Sequence, residues 1–187
     1  RSRAHIDRVL AALQRVVDRH DILRTSVYWE GLEEPVQVVL RHARLDVENV
    51  ELDPAAGDVE QQLRKMCDPR RMRIDVRRAP MLRCHLAQDA SNGRWLLCVS
   101  MHHLAIDRAT LQLIVEEAGV FHQDGEAELL PAPPFRNFVA QARSVVRANE
   151  HDAHFKAMLG DIDEPTAPFG LLAMRGESNC TVELDAG

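Results

Sequence analysis

A chain of 187 residues, 45% hydrophobic and 28% charged, has the size of one globular domain of about 100–200 residues and excludes disorder along its whole length. Its 23 Lys and Arg against 29 Asp and Glu leave a formal charge of −6, which argues against general nucleic-acid binding. No apolar run approaches the roughly 20 residues of a membrane helix, and no apolar signal core follows the basic start Arg1-Ser2-Arg3, so no membrane partner is expected.

The elements follow in chain order. Ile6, Val9, Leu10, Leu13, Val16 and Val17 recur at intervals of three and four, which predicts an amphipathic helix over residues 4–20. The period then changes. Thr25–Trp29 and Val36–Leu40 read as two strands of a hairpin, broken by Glu30-Gly31 and a short acidic loop. Leu45–Leu52 reads as a further strand, and 58–68 as a short helix with Val59, Leu63 and Met66 on one side. Leu82–Gln88 and Arg94–Val99 flank an Asn92-Gly93 turn signal and predict neighbouring antiparallel strands in a sheet of at least four. The second of these is apolar at nearly every position, the signature of a central strand covered on both faces. A helix is expected over Thr110–His122, with Leu111, Ile114, Val115, Ala118 and Phe121 on one stripe. After a Pro131–Pro134 loop, Phe135–Leu159 reads as one long helix, continuous or broken, with Gly160 as its stop. Residues 163–170 read as an ordered loop, and Cys180–Leu184 as the start of another strand. Strands with helices packed against them, without regular alternation, make this an α+β fold.

The four cysteines, Cys67, Cys84, Cys98 and Cys180, form no CxxC pair and have no His at zinc-ligand spacing. Reduced thiols and a cytosolic location are expected, with no metal.

Chemistry concentrates at His102-His103-Leu104-Ala105-Ile106-Asp107, at the exit of an apolar strand. Adjacent strand residues face opposite sides, so one imidazole is expected to face a cleft while the other packs inward. Asp107 stands where strand gives way to helix, placed either to cap that helix or to receive a buried cation. Two other segments stand out: Arg19-His20-Asp21-Ile22-Leu23-Arg24-Thr25 at the end of the first helix, and Ile74-Asp75-Val76 through Pro80-Met81-Leu82-Arg83 before the paired strands. Each taken alone reads as a polar helix end and a solvated basic loop.

Taken in order, the three segments resemble the condensation domain of nonribosomal peptide synthetases, whose fold is similar to chloramphenicol acetyltransferase. That family carries motifs of the form RHExLRT, FDLxxxPLLR and MHHxxxDG. Residues 19–25 match the first with Asp21 for Glu, 74–83 look like the second, and Met101–Asp107 match the third, with Arg108 where Gly is usual. Residues Met158–Asp161 and Glu164–Thr166 look like the passage out of the first lobe. The resemblance implies an N-terminal lobe over residues 1–160, with a mixed, mostly antiparallel sheet and helices packed on it. It also implies a crossover over 161–187 into a second lobe, which lies beyond this chain together with the family's first motif.

The activity so implied is amide-bond formation between donor aminoacyl or peptidyl and acceptor aminoacyl thioesters. No cofactor is bound directly; the reactants ride on phosphopantetheine arms of donor and acceptor carrier domains, with an adenylation domain adjacent in a larger chain. His103 is the implied catalytic residue, as proton acceptor or as positioner of the amine. His102 is expected to pack inward. Asp107 is expected to pair with Arg24 or Arg19 as a structural clamp, and the Arg108 N–H to lie near a developing oxyanion or the substrate approach. Alternatives within the same fold are an epimerization domain, which would need a carboxylate base from the second lobe, and a simple acetyltransferase. His102-His103 argues against a heterocyclization domain, which carries spaced aspartates there. A non-catalytic lobe that only docks carriers is the alternative of a different class.

Overall fold

Helix α1 (Arg3–Arg19) begins where the Ser2 hydroxyl accepts the His5 N–H at 3.3 Å, and buries Ile6, Ala12, Leu13, Val16 and Val17 on one face. The structure, a computed structural model, describes residues 2–123, 125, 129–144, 148–164 and 167. It divides into two compact units, Arg1–Val139 and Ala140–Gly187.

A 3-10 turn, Asp21–Arg24, carries the first unit from α1 into strand β1 (Thr25–Tyr28), which pairs antiparallel with β2 (Val36–Val39). The hairpin expected from the change of period is present, and Gly31 in its connection adopts φ 73°, a conformation open to glycine. The second sheet has the order β3-β4-β5. Strand β3 (Asp46–Val50) runs parallel to β4 (Leu82–Asp89), and the crossover that a parallel pair requires contains α2 (Val59–Met66), capped by the Asp58 carboxylate on the Gln61 N–H at 2.8 Å. Strand β5 (Arg94–Met101) returns antiparallel to β4 through the Asn92-Gly93 turn, where Gly93 has φ 68°. The buried Asp89 carboxylate closes that turn: it accepts the Ser91 hydroxyl at 2.6 Å and Arg94 Nε at 3.0 Å. The side-chain hydrogen bond from Ser91, then that from Arg94, holds its pKa below the usual carboxylate range.

Two expectations change here. The sheet has three strands among the described residues rather than four or more, and its central strand is β4, not β5. Leu82, Cys84, Leu86 and Ala87 of β4 are all 1% exposed or less. The apolar run in β5 has another cause. Leu97, Val99 and Met101 pack on the main core built with α1 and α3 (Arg108–His122), while Leu96 and Cys98 pack with Leu63 and Cys67 from α2. Both faces are covered, yet every residue of β5 stays half-buried, because its outer edge has no strand partner among the described residues.

Within α3 the buried face is Ile114, Glu117 and Phe121, whereas Val115, expected on the stripe, is exposed. The predicted long helix is two, α4 (Phe135–Ser144) and α5 (Ala148–Leu159), with 145–147 outside the described residues. At Gly160 the backbone N–H donates to Lys156 O at 2.9 Å, and a Cβ would lie 2.3 Å from that same oxygen, so a residue without a side chain ends α5. The predicted loop at 163–170 is described only in part, and the predicted strand Cys180–Leu184 lies outside the described residues.

Cys67, Cys84 and Cys98 are free thiols. Burial pushes the Cys84 and Cys67 thiols up to about 12, and the neighbouring Cys98 adds to the effect at Cys67, so both stay protonated and behave as small hydrophobes.

Because Leu82 is buried in the main core at the root of the site described next, Leu82→Ala should cost about 2–5 kcal/mol. Urea unfolding followed by circular dichroism should show a lowered midpoint with an unchanged m-value.

Candidate active site

The β4–β5 ladder ends at Leu82 opposite Met101, and one further rung follows, in which the His102 N–H donates to Met81 O at 3.0 Å. The chain then turns. The N–H groups of Ala105 and Ile106 donate to His102 O at 3.1 and 3.3 Å, and both side chains are buried in the main core. His102 is half-buried, and its Nδ1 accepts the Leu104 N–H at 3.1 Å. That bond requires an unprotonated Nδ1, which puts the proton of the neutral ring on Nε2. His103 stands at the crest of the turn, exposed, and its ring makes no hydrogen bond among the described residues. Both histidines lie past the end of β5, so the tight turn, rather than strand alternation, separates their environments.

Asp107 is the N-cap of α3: its Oδ1 accepts the Thr110 N–H at 2.7 Å. Hydrogen bonds from Thr110 hold its pKa below the usual range. The expected pairing of Asp107 with Arg24 or Arg19 is not formed, and Asp107 is exposed. Each group has a nearer partner. The carboxylate is satisfied by helix N–H groups and the favourable end of the helix dipole. Arg24 Nη1 donates to Leu40 O, and to Arg41 O at 3.2 Å. Arg19 donates to Leu130 O and lies 3.2 Å from the Glu117 carboxylate. Arg108 opens α3 with its side chain exposed, and its N–H belongs to the first helical turn, which lacks intrahelical acceptors.

Glu117 was not singled out by any motif, yet it joins two of the segments. Its side chain is 7% exposed, and it accepts Arg19 Nε and lies 2.7 Å from His20 Nε2. It therefore ties the end of α1 to the middle of α3. The signal available in the sequence is its position, three residues after Ile114 and four before Phe121, which places a charge on an apolar stripe.

The three sequence segments thus converge. Leu23 from the first, Met81 and Leu82 from the second, and Ala105 and Ile106 from the third share one buried cluster. The second segment also holds the third directly, through Met81 O. Its Asp75 carboxylate accepts Arg77 N and Nε at 3.0 and 3.1 Å, closing the loop that leads into β4, and the Arg77 side-chain bond first of all keeps Asp75 below the usual carboxylate range. Among the described residues no cluster of His, Cys, Asp and Glu could hold a metal ion, and no helix is long and apolar enough to cross a membrane.

Comparison with known proteins resolves what this convergence is. The profile of the condensation-domain family matches residues 1–157. The chain belongs to that family. Among curated relatives, malpinin synthetase from Mortierella alpina is 48% identical over 97% of this chain, and malpibaldin synthetase from the same organism is 47% identical over 91%. The chain spans only 2% and 3% of their lengths. Among solved structures, the epimerization domain from the third module of tyrocidine synthetase B superposes with a TM-score of 0.66 at 21% identity, over 87% of this chain and 38% of that one. A structure of condensation-domain-mediated chain release from the enacyloxin polyketide synthase gives 0.61 at 25% identity, over 83% and 32%. The fold is therefore the α+β, chloramphenicol acetyltransferase-like arrangement of condensation domains, of which this chain covers a part.

Two substitutions test the geometry. Removing the buried carboxylate in Glu117→Ala leaves Arg19 and His20 without their shared counter-charge and should cost about 3 kcal/mol, the lower end for a broken buried pair because Arg19 keeps Leu130 O and some solvent contact. Chemical denaturation measures it directly. Asp107→Ala removes only an exposed helix cap and should lower Tm by roughly 2–4 °C at neutral pH. Since the folded pKa of Asp107 is depressed, its contribution is present above the ordinary Asp value of about 3.9. It is lost as pH falls through the lower folded value, so the two melting curves should converge in acid.

Proposed function

We propose that this chain forms part of a condensation domain that joins a donor aminoacyl or peptidyl thioester to the amine of an acceptor aminoacyl thioester, with His103 at the reacting atoms. The observation that carries the reading is the contrast within the pair. The His102 ring is committed to the turn, while the His103 ring is exposed, without a hydrogen-bond partner among the described residues, on a turn anchored by Ala105 and Ile106 in the core.

In this reading the acceptor amine attacks the thioester carbonyl carbon. His103 accepts the amine proton or orients the amine by a hydrogen bond as the C–N bond forms. The tetrahedral oxyanion then collapses, the C–S bond breaks, and the thiolate of the donor arm leaves and takes a proton. Amine attack on a thioester is intrinsically feasible, so positioning of the two reactants can supply much of the rate, up to about 7–11 kcal/mol of the barrier. A rigid turn serves that purpose because the imidazole is placed before substrate arrives. The Arg108 N–H at the start of α3 is the candidate donor to the oxyanion.

Residues 1–160 then form the N-terminal lobe, and 161–187 begin the crossover to a second lobe that completes the substrate passage. The partners are donor and acceptor carrier domains bearing phosphopantetheine arms, with an adenylation domain in the same larger chain, in the cytoplasm. The synthetases similar to this chain support such an assembly.

Within the complete two-lobe domain, His103→Ala should slow condensation between two loaded carriers by about 10²–10⁴-fold if the imidazole takes the proton, and by less, with a flat pH profile, if it only orients the amine. His102→Ala should act mainly on stability. Mass spectrometry of carrier-bound product, with chiral analysis of the released peptide, separates condensation from epimerization. An undiminished rate in His103→Ala overturns the assignment.

A further inference from the structure

A cavity of about 280 Å³ opens beside the end of α1, apart from the His103 turn, and is lined by Arg19, Arg24, Arg136, Asp21, Pro133 and Pro134 among others. Three arginines and one aspartate thus line this cavity, in a chain whose formal charge is −6, and of the three arginines Arg19 is paired with Glu117. The aspartate is engaged: both Asp21 oxygens lie 3.0 Å from the Phe135 N–H they accept. Arg19 is held from behind by Glu117, itself shared with His20, and by Leu130 O. Arg24 is held by Leu40 O and Arg41 O, forms no ion pair among the described residues, and its buried Nε–H has no acceptor there. Arg136 projects from the first turn of α4, exposed and without a carboxylate partner among the described residues.

Arginines do not gather on one cavity without cost. Like charges repel, and a half-buried guanidinium lacking a counter-charge is unfavourable unless an anion supplies it. Here two of the three are fixed in advance by carbonyl and carboxylate acceptors, so little side-chain entropy is lost when a ligand arrives. Their forked donors suit carboxylate and phosphoryl oxygens alike. The number of arginines decides between the two. A planar carboxylate presents two oxygens in one plane, whereas a phosphoryl group presents oxygens in several directions and can meet guanidinium groups on more than one wall.

We infer that this cavity binds a phosphoryl oxyanion between Arg24 and Arg136, with Arg19 as the third cation. The inference does not rest on the amide-forming role of His103. The phosphoryl group arrives either free or at the end of a longer molecule, and the chemistry of recognition is the same for both.

Isothermal titration calorimetry of the complete two-lobe domain with inorganic phosphate, at ionic strength held constant with sodium chloride, tests it. Phosphate should bind, and acetate should bind at least about tenfold more weakly. Arg136→Ala should weaken phosphate by about tenfold, and Arg136→Glu should abolish the signal; both changes are at an exposed position and leave the core untouched. Arg78→Ala, at an exposed site in another cavity, should change nothing. Two further ligands separate the sources. Binding of 4′-phosphopantetheine, with dephosphorylated pantetheine silent, assigns the site to a carried phosphoryl group. Binding of inorganic phosphate with 4′-phosphopantetheine excluded assigns it to free phosphate. Equal responses to phosphate and acetate, or full phosphate affinity in Arg136→Glu, overturn the inference.

Discussion

A carboxylate removed from water is costly unless its partners are in place, and Glu117 meets that requirement with Arg19 and His20. The consequence reaches beyond the pair. Arg19 ends α1 and His20 begins the turn into β1, whereas Glu117 lies two-thirds of the way along α3. Satisfying one buried charge therefore sets the register of α1 against α3, which hydrophobic contacts alone would define less sharply. The start of α3 follows the end of β5 through the turn that carries the two histidines.

From that frame the exposed histidine gains a fixed address. The His102 N–H is held by Met81 O, its Nδ1 by the Leu104 N–H, and the following Ala105 and Ile106 are sealed in the core. Asp107 then opens α3 as its cap. Between the last rung of a sheet and the first turn of a helix there is little freedom left for the backbone of His103. Such a segment suits the role proposed for His103, because orientation is settled by the fold rather than at the moment of encounter.

Charge is distributed unevenly around this frame. The chain as a whole is acidic, yet arginines gather at the end of α1 and from the loop before β4 into the strand itself, where Arg77 is neutralised by Asp75 and Glu30 and Arg83, in β4, by Asp46. In the cavity at Arg19, Arg24 and Arg136, Glu117 pairs with Arg19, while Arg24 and Arg136 form no ion pair among the described residues. Net charge therefore describes solubility and long-range association here, while the local field of each cavity decides what it attracts.

Reading the chain residue by residue determined the elements whose causes are local. Apolar positions at three and four define α1, the Asn92-Gly93 pair defines the β4–β5 turn, and β-branched runs around Gly31 define the first hairpin. The order of the three motif segments carried the family resemblance, because residue types at fixed spacing survive in sequence. Tertiary structure decided what depends on partners distant in the chain. An apolar strand reads alike whether its edges are paired or open, so β5 was expected at the centre that β4 occupies. A carboxylate at a helix start can cap that helix or meet a remote arginine, and only the availability of other acceptors for Arg19 and Arg24 made Asp107 a cap. The role of Glu117 is likewise set by tertiary structure. A charge on an apolar stripe has no local explanation, and its two partners lie nearly a hundred residues earlier in the chain.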